Sequence, residues 1–344
     1  MDPAGALRRI AFELERQQAQ TYRVRAYRSA AAVVDGLAPG EVERRAAAGT
    51  LRALRGIGPS TAAVIEQALA GGVPEHLAEL EAQAAARPLV ELTPPAAALL
   101  AATQGDCHLH SDASDGGSDA LTMALAARDE IGHAWVALTD HSPRLTVARG
   151  LSADRLREQI DLVSRLNEQL VPFRLLTGIE VDINEDGSLD QDPGLLAQLD
   201  LVVGSVHSAL RMPGPAMTAR MLAAVANPHL DVLGHCTGRM VAGLRRRPES
   251  VFDAEAVLEA CRAHGVAVEV NARPERLDPP LWLLRLAVEV GCLLALDTDA
   301  HAPGQLAWQP YGAVRIATAG GASERVVTTW SVQRLLAWTA CHRE

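Results

Sequence analysis

Seven short apolar runs alternate with amphipathic stretches from Gly105 onward, and this alternation is the feature that most constrains the fold. The runs are expected to be β-strands near residues 105–110, 134–140, 174–183, 199–206, 231–236, 266–271 and 292–297. The stretches between them, such as ADRLREQIDLVSRLNEQL, have the periodicity of surface helices. Strands that alternate with helices pair in parallel, so the pattern predicts an α/β fold with a seven-stranded barrel.

Histidine and acidic side chains recur at the ends of these apolar runs. His108 and His110 end the first run, and alternate strand residues point to the same side, so both can face one ion. Asp299 and His301 repeat that spacing after the last run. Catalytic residues of such barrels come from the carboxyl ends of the strands, so a polynuclear metal site is expected there. Its expected ligands are His108, His110, Asp115, His141, Glu180, His207, His235, Asp299 and His301.

A small all-α domain is expected over residues 1–84. Apolar residues recur there at helical spacing, and LRALRGIGPSTAAVI has the form of a helix, a tight turn and a second helix. Residues 85–104 are rich in alanine and proline and are expected to be a linker with some helix. The barrel is then expected over 105–344.

The tight turn of the N-terminal domain is expected to bind DNA phosphates without sequence preference. Gly56, Ile57 and Gly58 allow backbone N–H groups to converge at the start of a helix, which suits a phosphate oxygen. The net charge of the chain is −10, but residues 8–55 contain ten Arg against five acidic residues. Further phosphate contacts, or alternatively a structural role, are expected for Arg23, Arg25 and Arg28.

Composition excludes several classes of protein. The five cysteines form no CxxC pair, which favours a reducing compartment with free thiols. No apolar run approaches the ~20 residues of a membrane helix, and the N-terminus lacks a signal-peptide core, so a cytoplasmic protein without a membrane partner is expected. All 32 basic residues are arginine, which excludes Schiff-base chemistry by a lysine amine.

The motifs of the second part resemble those of the PHP (polymerase and histidinol phosphatase) family. They are GDCHLHSDASDGG, ALTDHS, GIEVDI, GSVHS, LGHCTGR and DTDAH. The resemblance covers about residues 105–344 and implies a distorted seven-stranded (βα) barrel that hydrolyses phosphoesters. It implies two or three divalent metal ions, and His and carboxylate ligands suit Mn²⁺ or Zn²⁺, with Fe²⁺ also open.

The same resemblance distributes the ligands over three ions. It places His108, His110, Glu180 and Asp299 at the first ion. It places His207 and His235 at the second ion, with Glu180 as a bridge. The third ion would be held by Asp115, His141 and His301. All nine positions carry a competent ligand, which favours an active enzyme.

Two arginines and one asparagine are expected to serve the substrate. Arg239 in GHCTGRM and Arg276 in EVNARPERLD can neutralise phosphate by bidentate contacts, although a surface role is the alternative for each. Both segments resemble the PHP domains attached to bacterial family-X DNA polymerases. Asn271 ends the sixth run and is expected to contact substrate or, equally, to cap the following turn.

The N-terminal domain resembles that of family-X polymerases, with two departures. The position of the lyase lysine is occupied by Val64, so lyase activity is expected to be absent. Residues 85–104 cannot hold the polymerase fingers, palm and thumb, so no nucleotidyl transfer is expected.

Three functions remain open from the sequence. The first is a metal-dependent phosphoesterase acting on DNA, either a 3′-5′ exonuclease or a 3′-end-processing repair nuclease, with a polymerase or repair protein in trans as an open partner. The second is a small-molecule phosphatase, such as a histidinol phosphatase. The third is a non-catalytic DNA-binding scaffold with a metal cluster.

Overall fold

The computed structural model describes residues 1–243 and 246–341 and divides the chain into two compact units. The N-terminal unit runs from Met1 to Glu91, and the barrel unit begins at Leu92. The boundary falls within the segment expected to be a linker. None of the described helices combines the length and apolar character needed to cross a membrane.

The N-terminal unit is built from helices. They are α1 (Pro3–Arg16), α2 (Thr21–Asp35), α3 (Glu41–Ala47), α4 (Pro59–Leu69) and α5 (Glu75–Ala86). Helix α1 begins where the Asp2 carboxylate accepts a hydrogen bond from the Gly5 N–H (2.6 Å), with proline at its first position. Leu7, Ile10 and Leu14 lie on one face of α1 and are buried in the core of this unit.

The predicted turn, Gly56 to Gly58, lies immediately before helix α4. Gly56 has φ +97°, a left-handed conformation that favours glycine, and Gly58 precedes the helix in an extended conformation. The Gly58 N–H donates to Thr61 Oγ1 at 2.9 Å, which closes the first turn of α4. Ile57 is buried between the two glycines and anchors the turn to the core.

The described residues of the barrel unit form seven parallel strands in sequential order. They are β1 (Gly105–Leu109), β2 (Trp135–Leu138), β3 (Arg174–Asp182), β4 (Leu201–Ser205), β5 (Val232–Leu233), β6 (Ala267–Asn271) and β7 (Leu294–Asp297). Each strand lies within one of the seven expected runs, so the predicted α/β barrel is confirmed. Strands β1 and β7 approach each other, because the Cys107 N–H donates to Asp297 Oδ1 at 2.8 Å. The barrel is therefore nearly closed.

Helices connect and cover the strands of the barrel unit. They are α6 (Pro94–Ala102), α7 (Ala120–Ala126), α8 (Ala153–Leu170), α9 (Pro193–Leu196), α10 (Gly214–Val225), α11 (Ala254–His264), α12 (Leu281–Val290), α13 (Gln309–Ala319) and α14 (Val332–Cys341). Ser152 caps α8 and Asp253 caps α11 through side-chain oxygens. Helix α6 packs on α13 and buries Ala96 and Leu99 in the barrel core. Because all strands are parallel, their carboxyl ends and the following loops meet at one end of the barrel.

Candidate metal centre

Glu180, near the end of β3, lies at the centre of a histidine cluster. Its carboxylate is 1% exposed. Five imidazoles place a ring nitrogen within 3.6 Å of one of its oxygens. They are His108 (Nε2, 3.3 Å), His110 (Nε2, 3.6 Å), His141 (Nδ1, 2.8 Å), His207 (Nε2, 3.2 Å) and His235 (Nε2, 3.0 Å). The convergence of these rings on both carboxylate oxygens suits a bridging ligand.

The remaining expected ligands extend this cluster toward the outside of the barrel. Asp115 Oδ1 lies 3.5 Å from His141 Nε2 and 3.4 Å from His301 Nε2. Asp299 Oδ1 lies 3.4 Å from His110 Nε2 and 3.5 Å from His301 Nδ1. The structure thus brings together all nine side chains that the sequence predicted as ligands.

Three overlapping groups within the cluster have ligand atoms that all lie within 4.8 Å of one another. They are His108 with His110 and Glu180; His141 with Glu180 and His207; and His110 with Asp115, His141 and His301. The groups share Glu180, His110 and His141, so neighbouring ions would share ligands. His141 was expected only at the third ion, whereas its two ring nitrogens lie near both Glu180 and Asp115. Which ion each residue holds remains a prediction.

Several ring nitrogens of the cluster are buried without a hydrogen-bond partner in the described part of the chain. They are Nε2 of His108, Nδ1 of His141 and His235, and both ring nitrogens of His110 and His207. A buried polar atom left unpaired costs about 1–3 kcal/mol, so a set of them in one place requires an explanation. Imidazole and carboxylate groups that converge in this way fit divalent cations such as Zn²⁺ or Mn²⁺.

The pKa shifts of the cluster run in both directions. Burial lowers the pKa of the His110 imidazole well below its usual range, and neighbouring histidines add to that shift. Burial also lowers the pKa of His235, with a further contribution from Arg276. Burial acts in the opposite direction on Glu180, but the surrounding histidines hold the pKa of that carboxyl well below its usual range. Against the effect of burial, the Glu180 carboxylate raises the pKa of His207 to about 9 and that of His108 well above its usual range. Imidazole binds a cation in its neutral form, so metal binding would release protons from these two rings.

Glu269 on β6 is a member of the site that the sequence analysis missed. Its side chain is fully buried, and its Oε1 lies 2.5 Å from His108 Nδ1. Its Oε2 accepts from the His235 backbone N–H (2.5 Å) and from the Asn271 amide (3.2 Å). A carboxylate on Nδ1 fixes the tautomer of His108 so that Nε2 is free to bind an ion. The available signal was an acid inside an apolar run, two residues before Asn271.

Asn271 is completely buried, and its amide is engaged within the protein. Its Nδ2 donates to Glu269 and to Asp299 Oδ2, each at 3.2 Å, and its Oδ1 accepts from the Arg273 N–H at 3.1 Å. The contact with the Arg273 N–H is the kind expected of a turn cap, and a contact with substrate stays a prediction. Its amide holds Asp299 in place.

The two expected substrate arginines are placed differently. Arg239 donates to the backbone carbonyls of Arg276 (3.1 Å) and Leu277, and its Nη1 lies 3.3 Å from Glu249. Its guanidinium therefore supports the loop after β6, and its contact with phosphate stays a prediction. Arg276, in contrast, lies beside the cluster, with Nε 3.1 Å from Asp299 Oδ2.

The six expected DNA contacts lie in the N-terminal unit, and three of them line one cavity. Gly56 and Gly58 line a cavity of about 540 Å³ together with Arg23, while Arg23 and Arg25 are exposed. Arg28 instead forms an ion pair with the buried Glu15 carboxylate, so its charge contributes to packing within the unit. The contact of these residues with DNA remains a prediction.

Known proteins match both parts of the chain's architecture. A family model described as a helix-hairpin-helix domain matches residues 1–74. The DNA polymerase/3′-5′ exonuclease PolX of Bacillus subtilis (strain 168) is 40% identical over 198 residues, which covers 58% of this chain and 34% of that protein. A probable phosphatase of Thermoanaerobacter sp. (strain X514) is 27% identical over 206 residues, 57% of this chain and 78% of that protein. The chain therefore spans about a third of the length of the first of these relatives.

A solved structure also overlaps the chain. It is the histidinol phosphate phosphatase from Lactococcus lactis subsp. lactis Il1403, complexed with zinc, L-histidinol and phosphate. The match covers 64% of this chain and 95% of the phosphatase, with a TM-score of 0.48 and 19% identity. The sequence matches, the parallel barrel and the converging ligand set agree with the resemblance to the PHP family. Residues 1–74 match a helix-hairpin-helix domain, and the second unit is similar to PHP proteins.

Proposed function

We propose that the chain is a metal-dependent phosphoesterase that acts on DNA ends, as a 3′-5′ exonuclease or a 3′-end-processing nuclease. The observation that carries the proposal is the convergence of nine histidine and carboxylate side chains around Glu180, with buried ring nitrogens that have no hydrogen-bond partner in the described chain. The helix-hairpin-helix domain and the 40% identity to a polymerase and exonuclease favour DNA as the substrate.

The residues of the site divide the chemical work. Bound divalent ions, proposed as Mn²⁺ or Zn²⁺ with Fe²⁺ also open, would lower the pKa of a water molecule and stabilise charge on phosphate oxygens. Glu180 and the histidines would hold these ions, and Glu269 orients His108. Arg276 places a fixed positive charge beside Asp299, where it can contact a phosphate oxygen.

The depth of the cluster favours DNA ends over internal phosphodiesters. The side chains of His108 and His110 are 0% exposed, whereas those of His301 and Asp115 are 19% and 37% exposed. Substrate would therefore enter past Asp115 and His301 and reach inward toward Glu180. A terminal nucleotide can enter such a recess more easily than the middle of a duplex.

The first prediction separates DNA binding from catalysis. Gly58→Glu is expected to weaken duplex binding while hydrolysis of a small chromogenic phosphoester stays unchanged, because the added carboxylate repels phosphate at the turn. The structure supports this choice of position: a Cβ at Gly58 would meet no atom within 4 Å among the described residues, and Gly58 does not require a left-handed φ. Binding is measured as a function of salt, where each lost phosphate contact reduces the slope by about 0.9.

A matched control adds the same charge elsewhere in the unit. Ala85 is exposed on α5, so Ala85→Glu is expected to leave both duplex affinity and salt slope unchanged. Equal losses of duplex binding and small-substrate hydrolysis in Gly58→Glu would contradict the division of labour.

The second prediction tests the catalytic centre and the choice of substrate. His110→Ala is expected to abolish both Mn²⁺-stimulated nucleotide release from a 3′-labelled oligonucleotide and phosphate release from small phosphomonoesters. His110 approaches both Glu180 and Asp299, so its loss disturbs two ligand groups. A variant that keeps both activities would show that the cluster is not the active site.

A small-molecule phosphatase is the second candidate function, favoured by the 27% identity to a probable phosphatase over 78% of its length. It predicts that the wild-type chain hydrolyses histidinol phosphate or another small monoester far faster than an oligonucleotide. A non-catalytic scaffold predicts no hydrolysis of either substrate by the metal-loaded chain.

A further inference from the structure

The loop after β6 carries two arginines to opposite sides of one expected ligand. Arg276 Nε lies 3.1 Å from Asp299 Oδ2, and Arg273 Nη1 lies 3.8 Å from Asp299 Oδ1. Burial raises the pKa of Asp299, but the hydrogen bond with His110 and the charges of Arg276, His108 and Arg273 hold it well below its usual range. Arg239 fixes the loop from outside through the carbonyls of Arg276 and Leu277.

Arg273 is three-quarters buried, yet its Nε has no hydrogen-bond partner among the described residues. Its side chain is 24% exposed, and its buried Nε lies 3.6 Å from Glu275 Oε2, which is beyond hydrogen-bond distance. Its Nη1 lies 3.3 Å from His301 Nδ1. That ring nitrogen is also 2.9 Å from the Asp299 carbonyl. When Nε2 of His301 binds an ion, Nδ1 carries the ring proton and donates to this carbonyl, so it cannot accept from Arg273.

Arg276 shows the same deficit on the other side of Asp299. The Arg276 side chain is only 15% exposed, and its buried Nε and Nη1 have no hydrogen-bond partner in the described chain. Two guanidinium groups therefore present unused N–H donors in one place, beside a carboxylate expected to bind a cation. Asp299 supplies a negative charge to both groups, and an oxyanion would supply the further acceptors that their unused N–H donors lack.

We propose that Arg273 and Arg276 together form a binding site for the phosphoryl group of the substrate, with Arg273 as a substrate contact that the sequence analysis did not identify. The site takes a phosphomonoester or a terminal phosphodiester, whose non-bridging oxygens match the forked guanidinium donors. The proposal rests on the proposed function for its substrate. The affinity of the site for inorganic phosphate can be measured without any turnover.

The test uses the full metal-loaded chain and inorganic phosphate as the probe. Arg273→Met keeps the length of the side chain and removes its charge and donors. We expect phosphate binding, measured by isothermal titration calorimetry, to weaken by roughly 10- to 100-fold, the range for hydrogen bonds to a charged group. Arg273→Lys is expected to give an intermediate loss, because an ammonium keeps the charge without the fork. Metal content, measured by mass spectrometry of the dissolved protein, is expected to stay unchanged.

Arg246→Met is the matched control. Arg246 is exposed in the loop after β5, and its replacement is expected to leave phosphate affinity at the wild-type value. Unchanged phosphate affinity in Arg273→Met would overturn the proposal. A loss of bound metal that parallels the loss of phosphate affinity would also overturn it, since Arg273 would then only support the metal ligands. A wild-type chain that binds no phosphate would overturn it as well. Phosphate binding that depends on Arg273 in a chain inactive on oligonucleotides would support this site and count against the proposed function alone.

Discussion

Replacing Glu180 by glutamine is expected to reduce phosphoester hydrolysis by about 10³-fold or more, since metal-based charge stabilisation supplies several kcal/mol of the barrier reduction. Five imidazoles converge on this carboxylate, and the shortest distance, from His141 Nδ1 to Glu180 Oε2, is 2.8 Å. Glutamine keeps the shape of the side chain but removes the negative charge and replaces one oxygen by an amide donor. The number of divalent ions retained after gel filtration is expected to fall, because the bridging position is lost.

Glu185→Gln is the matched control for this experiment. It makes the same chemical change five positions further along, at an exposed side chain in the loop after β3. The control is expected to keep wild-type metal content and hydrolysis. Circular dichroism and thermal unfolding show whether Glu180→Gln remains folded. A folded Glu180→Gln protein with wild-type metal content and turnover would remove the basis for placing the active site at this cluster.

The sequence was sufficient to predict the barrel and the convergence of its ligands. Each apolar run became one strand, and the carboxyl ends of parallel strands necessarily meet at one end of a barrel. His108 and Asp299 are 191 positions apart, yet they lie within 4.0 Å of each other because β1 and β7 are neighbours. Side chains at strand ends could be placed from topology alone.

The roles of residues in loops could not be read in the same way. Arg239 and Arg276 have the same chemistry and both follow strand ends, but Arg239 donates to two carbonyls whereas Arg276 lies beside Asp299. The difference depends on the path of the loop after β6, where Leu277 has φ +47°. Strand periodicity does not determine that path, so sequence reasoning could not tell which of the two arginines lies beside Asp299 or place Arg273 there.

Glu269→Gln is expected to weaken metal binding by about 10- to 100-fold while leaving the fold intact, which is the usual effect of removing a partner that orients a ligand. The carboxylate accepts hydrogen bonds from three groups: His108 Nδ1, the His235 N–H and the Asn271 amide. The NH₂ group of a glutamine side chain would face at least one of these three donors, so at least one hydrogen bond would be lost. His108 would then lose its fixed tautomer and orientation.

The measurement is hydrolysis as a function of Mn²⁺ concentration, together with metal affinity determined by competition with a chelator. If Glu269 positions His108, excess Mn²⁺ restores turnover in Glu269→Gln close to the wild-type rate, because the ligands of the ions are all still present. Glu289→Gln, at an exposed position on α12, is expected to give the wild-type metal dependence. Low turnover at saturating Mn²⁺ with unchanged metal affinity would contradict this role and give Glu269 a direct part in the reaction. If Glu269 acts only through His108, the loss of its hydrogen bond must lower the metal affinity of the protein.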